Sequence, residues 1–119
     1  MHGLGELEAA VMEVLWREGT PLKVRDVLER LDTGRQLAYT TVMTVLDNLH
    51  RKQWVERERQ GKAYIYETTM TREEAAARAL RDILDESGDP HGVLTHFVAS
   101  VSDEETDILR GALRKKRRR

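Results

Sequence analysis

Apolar positions recur along the first fifty residues at the spacing of one helical face. Leu7, Ala10, Val11, Val14 and Leu15 predict an amphipathic helix over Glu6 to about Glu18, closed by Gly19. Thr20 and Pro21 break the pattern, and Val24, Val27, Leu28 and Leu31 then predict a shorter helix over roughly Lys23 to Asp32, ended by Thr33-Gly34. A third helix is expected from about Tyr39 to Lys52, with Val42, Val45, Leu46 and Leu49 on one face. Its β-branched residues weaken intrinsic helicity, so this helix must lean on packing. Beyond it the period changes. Trp54, Val55 and a charged stretch reach Gly61-Lys62, and Ala63, Tyr64, Ile65 and Tyr66 follow, which is the signal of a hairpin.

After the hairpin the helical period returns. Thr71-x-x-Glu74 matches a capping box, so a helix should run from there to about Ser87 with Ala75, Ala76, Ala79, Leu80, Ile83 and Leu84 as its stripe. Ser87-Gly88-Asp89-Pro90 stops it. A short helix from about Gly92 to Val101 follows, and Ser102-x-x-Glu105 opens a last one through Ile108, Leu109 and Leu113. Three helices and a hairpin make a winged helix-turn-helix, and the fold class expected is mainly α with a small β hairpin. The domain division expected is 1–70 for the winged helix and 71–119 for a helical segment. The later helices are too short to bury both faces alone. Their apolar positions, Leu80, Ile83, Leu84, Leu94, Phe97, Val98, Ile108, Leu109 and Leu113, are therefore expected to pair with a second copy in a homodimer, the alternative being that they fold back on the winged helix.

Charge sharpens this picture. The net charge of the 119 residues is −1, which by itself speaks against a nucleic-acid partner. Between Arg35 and Tyr66, however, six cations stand against three carboxylates, a balance of +3. From Thr71 to Asp107 three arginines meet ten carboxylates, a balance of −7, and the remaining twelve residues carry seven cations and no acid. A basic middle suits one DNA-facing surface. The run Arg114 to Arg119 reads either as a phosphate-seeking tail or as a solubilising end.

In a helix-turn-helix the second of the two helices presents its N-terminal outer face to base edges. With the third helix's core face fixed, Thr40, Met43, Thr44, Asp47, Asn48 and Arg51 point outward. Threonine can bond a phosphate or base edge, and Met43 can touch thymine methyls. Alternatively, Thr40 and Thr41 only start the helix and Met43 fills the edge of the core. Arg57, Arg59 and Lys62 lie where a wing brings cations to phosphates, although charge on a solvated hairpin is also common.

The absence of cysteine removes thiolate nucleophiles and sulfur-ligated metals and suits a reducing cytoplasm. There is no basic segment followed by a long apolar run and no stretch of eighteen apolar residues, so a cytoplasmic protein without membrane insertion is expected. No convergent set of titratable groups suggests an enzyme. His2, His50, His91 and His96 lack the neighbours that a metal site needs, and Glu73-Glu74 and Glu104-Glu105 fall inside capping boxes. Neither a cofactor nor a metal is expected.

The stretch LAYTTVMTVLDNLHRKQWVERERQGKAYIYE, Leu37 to Glu67, resembles the penicillinase-repressor family of winged-helix regulators. LGELEAAVMEVLW, Leu4 to Trp16, is similar to that family's first helix, and HFV with SDEETDILRGAL is similar to its dimerising end. The resemblance implies a repressor that binds a dyad-symmetric, double-stranded operator as a homodimer. It implies Thr40, Thr41, Met43 and Thr44 at the groove and Arg51, Arg59 and Lys62 near the backbone; Tyr39, at the start of the third helix, and Arg57, in the hairpin, are counted with them as DNA-binding candidates. It also implies inactivation by a membrane metallopeptidase sensor system through cleavage in the dimerisation segment. The matching bond is His96-Phe97, with histidine where the family commonly has asparagine. Gln53 stands where glycine is common, so the turn into the hairpin is expected to differ. The lack of a C-terminal cysteine cluster departs from copper-responsive relatives. A winged-helix interaction adaptor without specific DNA binding is the alternative, favoured by Asp47 and the net charge and disfavoured by the threonine-rich face and basic wing.

Overall fold

A computed structural model describes residues 1–118; Arg119, the last of the basic run, lies outside the described residues. The chain divides into two compact units, residues 1–79 and residues 80 onward, with the boundary inside a helix.

The first unit holds α1 (Glu6–Glu18), β1 (Leu22–Lys23), α2 (Val24–Arg30), α3 (Tyr39–Arg51), β2 (Val55–Gln60), β3 (Ala63–Thr68) and the start of α4 (Arg72–Glu86). Helix α1 ends where expected, because Gly19 takes φ 69° and donates its N–H to the Leu15 carbonyl at 3.0 Å. Helix α2 is shorter than the periodicity suggested. It stops at Arg30 because Leu31 already has extended backbone, although its N–H still bonds the Val27 carbonyl. The preceding two residues form a strand that no pattern announced. Leu22 and Lys23 pair antiparallel with Tyr66 and Ile65, giving a three-stranded sheet in the order β1-β3-β2. Strands β2 and β3 pair from Val55↔Thr68 to Gln60↔Ala63 around the two-residue loop Gly61-Lys62. Gly61 alone of that pair has positive φ, 64°, as a type II′ turn requires.

Val11, Met12, Val27, Val42, Leu46, Leu49, Val55 and Tyr66 form the innermost core, with Trp16, Leu28 and Trp54 packed against it. Burying each large aliphatic side chain contributes roughly 1.5–3 kcal/mol. The stripe expected on α1 omitted Met12, which is fully buried. Three polar ties hold the frame. Lys52 Nζ meets Glu8 Oε1 at 2.8 Å. Burial pushes the Glu8 carboxyl up, but the bonds from Lys52 and the Gly5 amide outweigh it and hold it below its ordinary range. The Trp16 indole donates to the Met70 carbonyl at 3.0 Å, and Arg72 reaches Glu13 at 2.6 Å, which anchor the start of α4.

The turn out of α3 corrects an expectation. Glutamine at position 53 was expected to alter the turn, yet Gln53 itself adopts the left-handed conformation at φ 68°. Trp54 N–H bonds the Leu49 carbonyl at 2.9 Å and Gln53 N–H the His50 carbonyl at 3.0 Å, the two bonds of a Schellman motif. Thr69 Oγ1 bonds the Gln53 and Trp54 carbonyls from the far side. Backbone bonds and the burial of Leu49 over-determine the turn, so the side chain accepts the strain.

The second unit comprises the rest of α4, α5 (Pro90–Ser100) and α6 (Asp103–Arg117). Helix α5 starts earlier than read from the sequence. The segment that stops α4 also starts α5, since Asp89 is its N-cap, accepting from Gly92 N–H at 3.0 Å, and Pro90 occupies the first turn. Helix α6 has a full capping box, with Glu105 N–H bonding Ser102 Oγ at 3.1 Å and Ser102 N–H bonding Glu105 Oε1 at 2.9 Å. Among the described residues of α5 and α6 none is buried, and no described helix is long and apolar enough to cross a membrane.

Candidate nucleic-acid interface

The core contacts of Val42, Val45, Leu46 and Leu49 fix the rotation of α3, and so decide which residues face outward. Thr40, Thr41, Thr44, Asp47 and Arg51 are exposed, as are Tyr39 and Met43. Met43 is 42% exposed and so does not fill the core edge. The helix begins at an Ala38 N-cap with no side-chain cap bond, so the threonines have no capping work to do. Thr44 Oγ1 instead donates to the Thr40 carbonyl at 2.9 Å. With its proton committed there, the Thr44 hydroxyl can only accept a further bond.

Asp47 is the one acid among these outward residues, and its charge is taken up within the protein. Arg57 Nη1, on β2, meets Asp47 Oδ1 at 2.5 Å, and the guanidinium carbon lies 4.3 Å from the centre of the Tyr64 ring. The bond to Asp47, followed by one to Tyr66, pushes the already high Arg57 pKa further up. Arg57 is accordingly only half-exposed and spoken for. Arg59 lies farther from Tyr64, at 5.6 Å, and is exposed, as is Lys62 at the tip of the wing. Arg51 Nη2 bonds Asn48 Oδ1 at 2.5 Å, which lays its fork along the outer face of α3.

The first unit therefore brings the groove-facing and wing residues of the sequence reading onto one framework. The pair between Asp47 and Arg57 escaped that reading, because no periodic signal links a helix position to a strand position ten residues on. In the second unit Leu80, Ile83, Leu94, Phe97, Val98, Ile108, Leu109 and Leu113 are all exposed and Leu84 is half-buried. Val93, which the apolar set omitted, is exposed as well. His96 and Phe97 lie inside α5, both exposed. Among the described residues no group of three or more His, Cys, Asp or Glu is placed to hold a metal.

A sequence model of the family described as penicillinase repressor matches residues 4–115. The chain belongs to the penicillinase repressor family. It is 44% identical over 113 residues to the transcriptional regulator BlaI of Mycobacterium tuberculosis, covering 92% of this chain and 82% of that relative. Family and relative alike are regulators, and this chain is a regulator and not an enzyme. The solution structure of the DNA-binding domain of the repressor BlaI superposes with a TM-score of 0.52 at 20% identity, over 59% of this chain and 84% of that one. A MarR family protein from Bacillus stearothermophilus gives 0.52 at 20% identity, over 98% of this chain and 75% of its own. At that identity the two structures speak for the fold, a winged helix in a mainly helical chain.

Proposed function

We propose that this regulator is a DNA-binding repressor that seats α3 in the major groove of a dyad-symmetric operator and acts as a homodimer paired through its second unit. The observation that carries this reading is the outward face of α3. Tyr39, Thr40, Thr41, Met43 and Thr44 are exposed on a helix whose opposite face is the core, and the Asp47 charge beside them is neutralised by Arg57. An α-helix fits the major groove, where each base pair presents a distinct pattern. Met43 and the threonine methyls suit thymine methyls, and the accept-only Thr44 oxygen suits the amino group of adenine or cytosine. Arg51, Arg59 and Lys62 supply the neutralisation of phosphates that fixes register. Arg57 takes a different part from the one first expected of it: engaged by Asp47 and Tyr64, it holds the wing to α3.

The exposed apolar side chains of the second unit support pairing, since obligate dimer interfaces resemble a divided hydrophobic core. The relative named as a repressor with a DNA-binding domain supports the DNA partner. Relief by a membrane metallopeptidase sensor, through cleavage of the bond between His96 and Phe97, completes the reading. That bond lies within α5, so local opening of the helix must precede scission.

The test is a titration of the DNA upstream of the protein's own gene, against a random duplex. Thr44→Ala should weaken operator binding by roughly 1–3 kcal/mol and leave random binding unchanged. A folded Thr44→Ala variant that binds operator as tightly as wild type contradicts the proposed orientation.

A further inference from the structure

Helix α6 ends in Arg114, Lys115, Lys116 and Arg117, with Arg118 as its C-cap, and all five side chains are exposed. At about 100° per residue they encircle the helix. Leu113 is the last apolar residue before them, and no apolar stripe interrupts the ring. Arg114 stands three and four residues from Arg117 and Arg118 and four from Arg110, spacings at which like charges on a helix face repel. Arg110 has Asp107 at 3.7 Å, but none of the five has an ion pair or side-chain hydrogen bond among the described residues. The negative end of the helix dipole favours cations only within the last turn, and salt screens that effect. The cations' mutual repulsion, screened by salt while they are exposed, falls further when a phosphate backbone lies against them. Solubility gives no reason to gather cations here, because residues 71–107 already carry a balance of −7.

We propose that the basic end of α6 is a second, sequence-independent phosphate-binding surface for duplex DNA, distinct from α3 and the wing. It goes beyond the repressor reading and rests on that reading for its biological target. A helix that lies on a membrane needs an apolar face alongside its basic one; residues 114–118 are basic all round, and the exposed Ile108, Leu109 and Leu113 before them are taken up in the proposed homodimer. Duplex DNA offers about one negative charge per 1.7 Å of axis, a density suited to five cations gathered within about 7 Å of helix.

The experiment compares the full chain with the R114Q/K115Q/K116Q/R117Q/R118Q variant on random duplex and on operator across a salt series. Only the cations on the side of the ring that meets the duplex neutralise phosphates, so their loss should make the plot of log affinity against log salt shallower by about 2–4 per protomer, whereas Lys62→Gln at the wing should remove about one unit. The ratio of operator to random affinity should stay the same. A K115R/K116R variant, which keeps the charge, should retain the wild-type slope, and circular dichroism checks that α6 remains helical. An unchanged slope in the glutamine variant overturns the proposal, as does charge-dependent binding to phosphatidylglycerol vesicles with no change on DNA. A wild-type chain that does not prefer its operator would sink the repressor reading alone, since the random-duplex slope still judges the end of α6.

Discussion

Leu49 and Leu113 are the same side chain on amphipathic helices of similar length, yet the first is fully buried and the second is 60% exposed. The contrast extends to the whole of each unit. Every fully buried apolar side chain among the described residues lies at or before Ala75, while the second unit keeps Leu80, Leu94, Val98 and Ile108 about half exposed or more. The first unit closes its core with three helices and a sheet. The second spends good capping chemistry, at Asp89 and at Ser102 with Glu105, on helices whose apolar faces meet solvent. Caps are worth about 1 kcal/mol each and cannot replace burial as a source of helix stability. One unit therefore closes its core within a single chain, whereas the other leaves its apolar faces exposed, and the proposed homodimer would cover them.

The largest effect should come from the incomplete half. Phe97→Asp places a charge on the exposed apolar face of α5, and loss of pairing should reduce affinity for a full operator by on the order of 10²–10⁴ through lost effective concentration. The winged helix should stay folded, and the variant should bind a full operator hardly better than a half-site. Titration of both duplexes checks this; undiminished preference for the full operator would break the comparison between the units.

Truncating the two leucines sharpens it. Leu49→Ala should destabilise the chain by about 2–5 kcal/mol in urea unfolding, the range for a cavity in a closed core. Leu113→Ala should leave the unfolding of the first unit unchanged and weaken self-association instead. Equal losses of folding stability at the two positions would mean that Leu113 is buried within a single chain.

Legibility in the sequence follows the same division. Helices α1 and α3 declare themselves because their stripes are long and periodic, and Gly19 marks a boundary that glycine alone satisfies without strain. The wing is announced by aromatic and β-branched residues around Gly61. Strand β1 is not, since two residues carry no period and Leu22 becomes a strand residue only by pairing with Tyr66. Met12 sits beside the α1 stripe, at a position that only the packed partners can assign to the core. At the candidate interface the outward face of α3 follows from its inward one, but the neutralisation of Asp47 by Arg57 depends on the register of β2 against α3. Asp47 therefore looks like an objection to DNA binding when read alone and ceases to be one in the fold.

The smallest effect concerns the strain at the end of α3. Gln53→Gly should stabilise the first unit by up to about 1 kcal/mol, because glycine adopts positive φ freely while its extra unfolded-state entropy offsets part of the gain. Thermal unfolding measures this, with operator preference unchanged. A destabilised variant would show that the glutamine side chain contributes more than its backbone strain costs.

Sedimentation equilibrium of the wild-type chain tests the central claim most directly, that the second unit is half of an interface. The wild-type chain should be a dimer at tens of micromolar, with Phe97→Asp a folded monomer under the same conditions. A wild-type chain that stays monomeric there, and still binds its operator tightly, would contradict it.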